Sequence, residues 1–204
     1  MDSRSHWDSV YRTKLPDAVS WYRPHLERSL ELIERAFPDH SASIVDVGGG
    51  ESTLVDDLST RGYRDITVLD ISQTALNVAQ ARVGSTGRLV RWICADILNF
   101  TFPDASIDVW HDRAVFHFLT DPAQRLIYVE RMANSVKSGG HVILSTFGPD
   151  GPTKCSGLET IRYDAEKLRA ELGKRFQLIE SSIEYHQTPS GTMQQFLCCD
   201  FLRL

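Results

Sequence analysis

The sequence predicts an α/β protein built on a seven-stranded, mostly parallel sheet with helices on both faces and the last strand antiparallel. Three observations carry this expectation. Short β-branched runs alternate with helix-periodic segments along most of the chain. The first of these runs, "SIVDV", leads straight into Gly48, Gly49 and Gly50. Asp46, Asp70 and Asp96 sit at the ends of three successive runs.

The elements follow in order. "RPHLERSLELIERAF" (23–37) has apolar residues at 26, 30, 33 and 37, a helical spacing, with Pro24 near its start. "SIVDV" (43–47) reads as the first strand. "STLVDDLSTRG" (52–62) is a helix with Ser52 or Thr53 as N-cap and Gly62 as its stop. "DITVLDI" (65–71) is the second strand, and "SQTALNVAQARVG" (72–84) a helix capped by Ser72. "RLVRWICAD" (88–96) and "SIDVWHD" (106–112) are strands three and four. "DPAQRLIYVERMANSVKSGG" (121–140) is a helix with Asp121 as N-cap, Pro122 in its first turn and a Gly-Gly stop. "HVILSTF" (141–147) is strand five, and "DAEKLRAELGK" (164–174) a further helix. The segments 176–188 and 192–204 are two final strands. Only a short "PSG" turn separates them, so they pair antiparallel.

The chain has 204 residues, 42% hydrophobic and 24% charged, enough for one domain with its own core. Residues 1–40 are read as an N-terminal helical lid or extension, and 41–204 as a single globular unit. A formal net charge of −5, with no Lys/Arg run, argues against a nucleic-acid partner. No apolar run approaches the ~18 residues of a membrane span, so no membrane partner is expected. The polar start "MDSRSHWDSVYRTK" lacks the apolar core of a signal peptide. Cys94, Cys155, Cys198 and Cys199 contain no C-x-x-C pair and fit neither a zinc cluster nor a disulfide framework. No metal is expected, and the simple reading is reduced thiols in the cytoplasm.

Ordered glycine carries an entropic cost, so three in a row need a reason. In an open α/β sheet, ligands bind beyond the carboxyl ends of the strands, near the first strand. A turn without Cβ atoms lets backbone approach a ligand, and the next helix offers free N–H groups. Asp70, twenty positions after Gly50, can accept from ribose hydroxyls, and Asp96 from an adenine amino group. Asp46 would lie near an ammonium group. A tight turn with no ligand is the alternative for the glycines alone, and helix capping the alternative for a single aspartate.

"VDVGGGES", "VLDIS" and "CADI" resemble the first three motifs of class I S-adenosylmethionine-dependent methyltransferases, over roughly residues 43–147. The spacing departs from G-x-G-x-x-G, and Glu51 in the turn would repel a pyrophosphate, which argues against NAD. The resemblance implies a Rossmann-like sheet, S-adenosylmethionine as cofactor, and roles for individual residues. Gly48, Gly49 and Gly50 would pass the methionine part with Asp46 near its ammonium. Asp70 would hold the ribose and Asp96 the adenine amine. Ile71 and Ile97 would pack the ring faces, and Asp112 belongs to the same cofactor set.

"DVWHDRAVFHFL" follows the fourth strand and would border the transferring methyl, making His111 and Arg113 the candidate catalytic residues. His111 or His117 could act as base, though a histidine inside "VFHFL" is more often core. Arg113 could orient an anionic substrate or pair with a neighbouring aspartate. The stretch resembles "WDRGAL" of thiopurine-type methyltransferases, and the opening "W…Y" resembles protein-lysine methyltransferases. The leading reading is a methyltransferase acting on a small molecule, a thiol or other soft nucleophile being one candidate. The alternatives are a protein-lysine N-methyltransferase, a non-catalytic cofactor-binding protein and, more weakly, an NAD-dependent reductase. Trp7, Tyr11, Trp21 and Tyr22 form either a packing patch or a lid over the cofactor. Cys155, in the loop after strand five, is read as an idle thiol, with contact to a soft substrate or a metal as the alternative.

Overall fold

The computed structural model describes residues 2–204. Nine strands form: β1 (Ser43–Val47), β2 (Asp65–Asp70), β3 (Arg91–Cys94), β4 (Ile107–Arg113), β5 (Val136–Phe147), β6 (Lys154–Cys155), β7 (Leu158–Glu159), β8 (Phe176–Gln187) and β9 (Met193–Arg203). Six helices accompany them: α1 (Ser3–Thr13), α2 (Glu27–Ala36), α3 (Leu54–Thr60), α4 (Gln73–Val83), α5 (Pro122–Ser135) and α6 (Ala165–Leu172). The main sheet has the order β3-β2-β1-β4-β5-β9-β8. β1 to β5 pair in parallel, while β9 runs antiparallel to both β5 and β8. The expected seven-stranded, mostly parallel sheet is therefore present. β6 and β7 add a small hairpin that periodicity did not announce.

Both faces of the sheet are covered. One face carries Leu30 and Ile33 of α2, Leu54 and Leu58 of α3, and Leu76 of α4, packed on Ile44, Ile66 and Val109. The other carries Tyr128 and Met132 of α5 and Leu168 of α6, packed on Val45, Trp110 and Leu144. Strand alternation puts Cys198 in the first cluster and Cys199 in the second. All four cysteines are free thiols.

Ser72 and Asp121 cap α4 and α5 through their side chains as expected. One expected boundary is corrected. The helix predicted over 121–140 ends at Ser135, and Val136 is already extended. Gly139 and Gly140 lie inside β5 instead of stopping a helix. A Cβ on Gly140 would sit 2.9 Å from the Asp108 carbonyl oxygen, so glycine there permits the close approach of β5 to the irregular start of β4.

Candidate functional site

The carboxyl ends of β1, β2 and β4 open onto a cavity of about 480 Å³, in the range of small-molecule sites. The glycine turn sits at its floor. Gly48 and Gly50 take φ of +67° and +48°, a left-handed conformation that side chains resist. Gly48 N donates to the Leu69 carbonyl at 2.7 Å, tying the turn to β2. A Cβ on Gly48 would collide with Val115, and one on Gly50 would lie 2.6 Å from the Tyr11 hydroxyl. The turn is thus closed over by neighbours from α1 and from the segment after β4.

The cavity has two ends. Asp70, Ile71, Asp96 and Ile97 line one of them together with Gly48. Asp70 Oδ1 accepts from Ser72 N at 2.8 Å. Burial pushes its carboxyl up to about 7, against backbone donors and with Asp46 adding to the rise. Asp96 accepts from Leu98 N at 2.9 Å and from the Asn99 amide at 3.1 Å, which orients its carboxylate at the end of the third strand segment.

The other end is aromatic. Trp7 of α1, Trp21, Phe118, Phe147 and Phe196 line it, while Tyr11 of α1 reaches toward Gly50 and Asp70. Trp7 meets Phe118 and Trp21 edge-on at 5.1 and 5.9 Å between ring centres. α1 is held over the cavity by Asp8, which accepts from the Ser72 hydroxyl at 2.5 Å. Arg113 lines this end too, its Nη1 donating to the Trp21 carbonyl at 3.0 Å and its guanidinium 4.6 Å from the Phe196 ring centre. Burial, with Arg23 nearby, lowers it to about 10, so it remains a cation at neutral pH.

A smaller cavity adjoins at Gly48 and Arg113, lined also by Asp46, Gly49, Glu51, Arg23 and His111. Two buried carboxylate oxygens here, Asp46 Oδ2 and Glu51 Oε2, have no hydrogen-bond partner among the described residues. Burial pushes Glu51 up to about 7. Unpartnered buried acceptors call for a donor or a cation to satisfy them.

Two candidates stand apart from the expected arrangement. Asp112 lines neither cavity. It points to the α5 face, where it accepts from Val115 N at 2.8 Å, Phe116 N at 3.0 Å and the Tyr128 hydroxyl at 2.5 Å. That carboxylate organises the segment after β4 and is turned away from both cavities. His111 borders only the smaller cavity, and both ring nitrogens are occupied. Asp46 Oδ1 lies 2.7 Å from Nδ1, and the Ser29 hydroxyl 2.9 Å from Nε2. No free nitrogen is left there for a base. His117 is core: it stacks on Phe147 at 4.3 Å, accepts from Phe147 N at 3.0 Å, and burial lowers it to about 3. Gly50 lines neither cavity itself but keeps the space that Tyr11 and Asp70 occupy.

Residues 45–144 match the family described as a methyltransferase domain. That span is a methyltransferase domain of the class I, S-adenosylmethionine-dependent kind. The cavity chemistry fits S-adenosylmethionine, the cofactor of such domains. Acidic strand tips suit a ribose diol and an adenine amine. Unpartnered carboxylates beside the glycine turn suit an ammonium, and no phosphate has to be held near Glu51. The eEF1A lysine and N-terminal methyltransferase of Mus musculus is 29% identical over 136 residues, 66% of this chain and 19% of that protein. The match thus spans about a fifth of the length of that relative. In structure it is similar to the 1,6-didemethyltoxoflavin-N1-methyltransferase of Burkholderia thailandensis, solved with 1,6-didemethyltoxoflavin and S-adenosylhomocysteine. The TM-score is 0.74 at 20% identity, covering 98% of this chain and 86% of that one. The N-methyltransferase NodS of Bradyrhizobium japonicum, solved with S-adenosylhomocysteine, superposes with a TM-score of 0.73 at 18% identity, covering 99% of each chain.

The aromatic end was only partly legible in sequence. Trp7, Tyr11 and Trp21 cluster in one segment. Phe147 and Phe196 come from neighbouring strands β5 and β9, and Cys155 from the β6–β7 hairpin. Nothing in local spacing links them.

Proposed function

We propose that this methyltransferase acts on a small molecule seated at the aromatic end of the cavity, with the adenosyl group held at the acidic end. The observation that carries the reading is the cavity's two-ended lining: carboxylates and the glycine turn on one side, five aromatic side chains and Arg113 on the other. Asp70 would accept from the ribose hydroxyls and Asp96 from the adenine amine, with Ile71 and Ile97 against the ring. Asp46 and Glu51 would face the ammonium across Gly48 and Gly49.

The cofactor supplies a methyl group already activated by a sulfonium. What the protein must add is alignment, with nucleophile and methyl about 3–3.5 Å apart. The aromatic walls and Trp21 would orient a flat acceptor, and α1 would exclude water above it. Tyr11 and Cys155 hold their protons, because burial raises both. Such a site favours an acceptor that brings its own reactive lone pair, as a thiolate or a neutral heterocyclic nitrogen does. The protein-lysine reading draws support from the eEF1A lysine and N-terminal methyltransferases of several animals, which are 25–29% identical to this chain.

The test is an acceptor screen read by production of S-adenosylhomocysteine, with thiols, heterocycles and lysine peptides side by side. Turnover of a small acceptor is expected. Failure to bind S-adenosylhomocysteine, or turnover confined to lysine peptides, would end the proposal.

A further inference from the structure

Arg113 is a cation with unfinished chemistry. A guanidinium has five N–H donors, and here one of them reaches a protein acceptor, the Trp21 carbonyl. Among the described residues no carboxylate lies within ion-pair distance of it. Other part-buried arginines of the protein are matched: Arg125 meets Glu171 at 2.9 Å, and Arg82 meets Asp56 at 2.7 Å. Arg23 adds a second positive charge nearby, and Glu184 acts on Arg113 only at longer range. Stacking on Phe196 fixes the plane of the group and leaves its edge free. Holding a charge in such surroundings without a counterion is costly.

We propose that Arg113 receives a carboxylate, and that this carboxylate belongs to the methyl acceptor. The acceptor is then a flat apolar body with one anionic group, lying between Trp7, Trp21, Phe118 and Phe147. The inference rests on the small-molecule methyltransferase reading and deepens it. A fork of parallel N–H donors matches a carboxylate in two-point contact. An ammonium at the same place would meet the unscreened charge of Arg113 in a low-dielectric pocket, which disfavours lysine acceptors. The cofactor's own methionine carboxylate is the other source of this chemistry, because Arg113 also borders the smaller cavity. Arg23 lines that cavity as well, but its guanidinium already meets His186, the Tyr185 carbonyl and Glu27, so the cofactor comparison below decides between the two sources.

The experiment uses protein loaded with S-adenosylhomocysteine and titration calorimetry. The probes are aromatic carboxylates of one to three rings, each with its primary amide and its aminomethyl analogue. Each carboxylate that binds should do so at least about tenfold more tightly than its amide, with the ammonium analogue weakest. Arg113→Met should bring carboxylate and amide to parity and leave S-adenosylhomocysteine affinity within about twofold, while Arg113→Lys should keep part of the preference. Amides that bind as well as carboxylates, or no carboxylate binding at all, overturns the proposal. So does an Arg113→Met variant that loses S-adenosylhomocysteine affinity but binds 5′-methylthioadenosine, which lacks the carboxylate, as well as the parent. If Arg113→Met does not fold, the comparison of probes on the parent protein and Arg113→Lys decides. A parent protein that binds no S-adenosylhomocysteine removes the cofactor reading, and the carboxylate-to-amide ratio on unloaded protein still decides the role of Arg113.

Discussion

Cofactor affinity should rise with pH through the titration of Asp70. Burial holds this carboxyl up at about 7, with Asp46 and Asp8 adding to the rise and donors at Ser72 and Gly50 opposing it. Ser72 N takes one oxygen at 2.8 Å. The other lies beside Gly50, 3.2 Å from where a Cβ would be. Ribose hydroxyls donate to the ionised form, so binding lowers the value and expels a proton wherever the free protein carries one. For a group titrating near 7, about a tenth is ionised at pH 6 and about nine-tenths at pH 8, which makes affinity roughly tenfold higher at pH 8. Glu51 titrates in the same range, so the two must be separated by substitution. Asp70→Asn should flatten the profile and weaken binding at pH 8 by ~1.5–3 kcal/mol, the worth of a hydrogen bond to a charged acceptor. Glu51→Gln should keep the slope that Asp70 sets. Titration calorimetry with S-adenosylhomocysteine in two buffers of different ionisation enthalpy gives both the affinity and the proton count. Equal affinity at pH 6 and pH 8, or the parent slope surviving in Asp70→Asn, would refute the assignment.

Three further outcomes are expected. Asp70, Glu51 and Asp112 are raised to about 7, 7 and 6, so the folded protein binds protons that the unfolded chain releases; their contribution is full near pH 4 and is lost as pH rises through 6 to 7. The thermal midpoint of the unliganded protein should therefore fall between pH 5 and pH 8, less steeply in Asp70→Asn, and a variant as steep as the parent would contradict this. Asp112→Asn should cost ~1–3 kcal/mol of stability by unsettling a buried acceptor with three donors, read by urea unfolding, while the refolded variant keeps its cofactor affinity; loss of affinity without loss of stability would return Asp112 to the cofactor set. Gly50→Ala adds a Cβ at a φ of +48° and against the Tyr11 hydroxyl, so it should cost ~1–3 kcal/mol and loosen α1, seen as faster exchange of the α1 amides; an unaltered exchange pattern would mean that Tyr11 does not rest on the turn.

Much of this architecture was legible because each layer of signal agreed with the next. β-branched runs became strands, and the caps at Ser72 and Asp121 fixed where α4 and α5 begin. Glycine and aspartate at the strand tips marked the binding edge. The misreadings have physical causes. Gly139 and Gly140 resemble a helix stop, but close contact with the Asp108 backbone makes them strand residues. In "WHDR" four polar or aromatic residues fall at one strand end, and alternation sends them to opposite faces. Trp110 and Asp112 go toward Tyr128, while His111 goes toward Ser29. Proximity in sequence hid that division. The aromatic chamber is the least legible part, since Phe147, Cys155 and Phe196 meet only after β9 has paired with β5.

That pairing sets an order of assembly. Because β9 occupies an interior lane, a growing polypeptide cannot join β8 to the rest of the sheet until residues 193–203 have left the ribosome. Phe196, the platform beneath Arg113, arrives in that same stretch. Chain order therefore puts the residues of the nucleoside side, through Ile97, well ahead of the last wall of the chamber opposite.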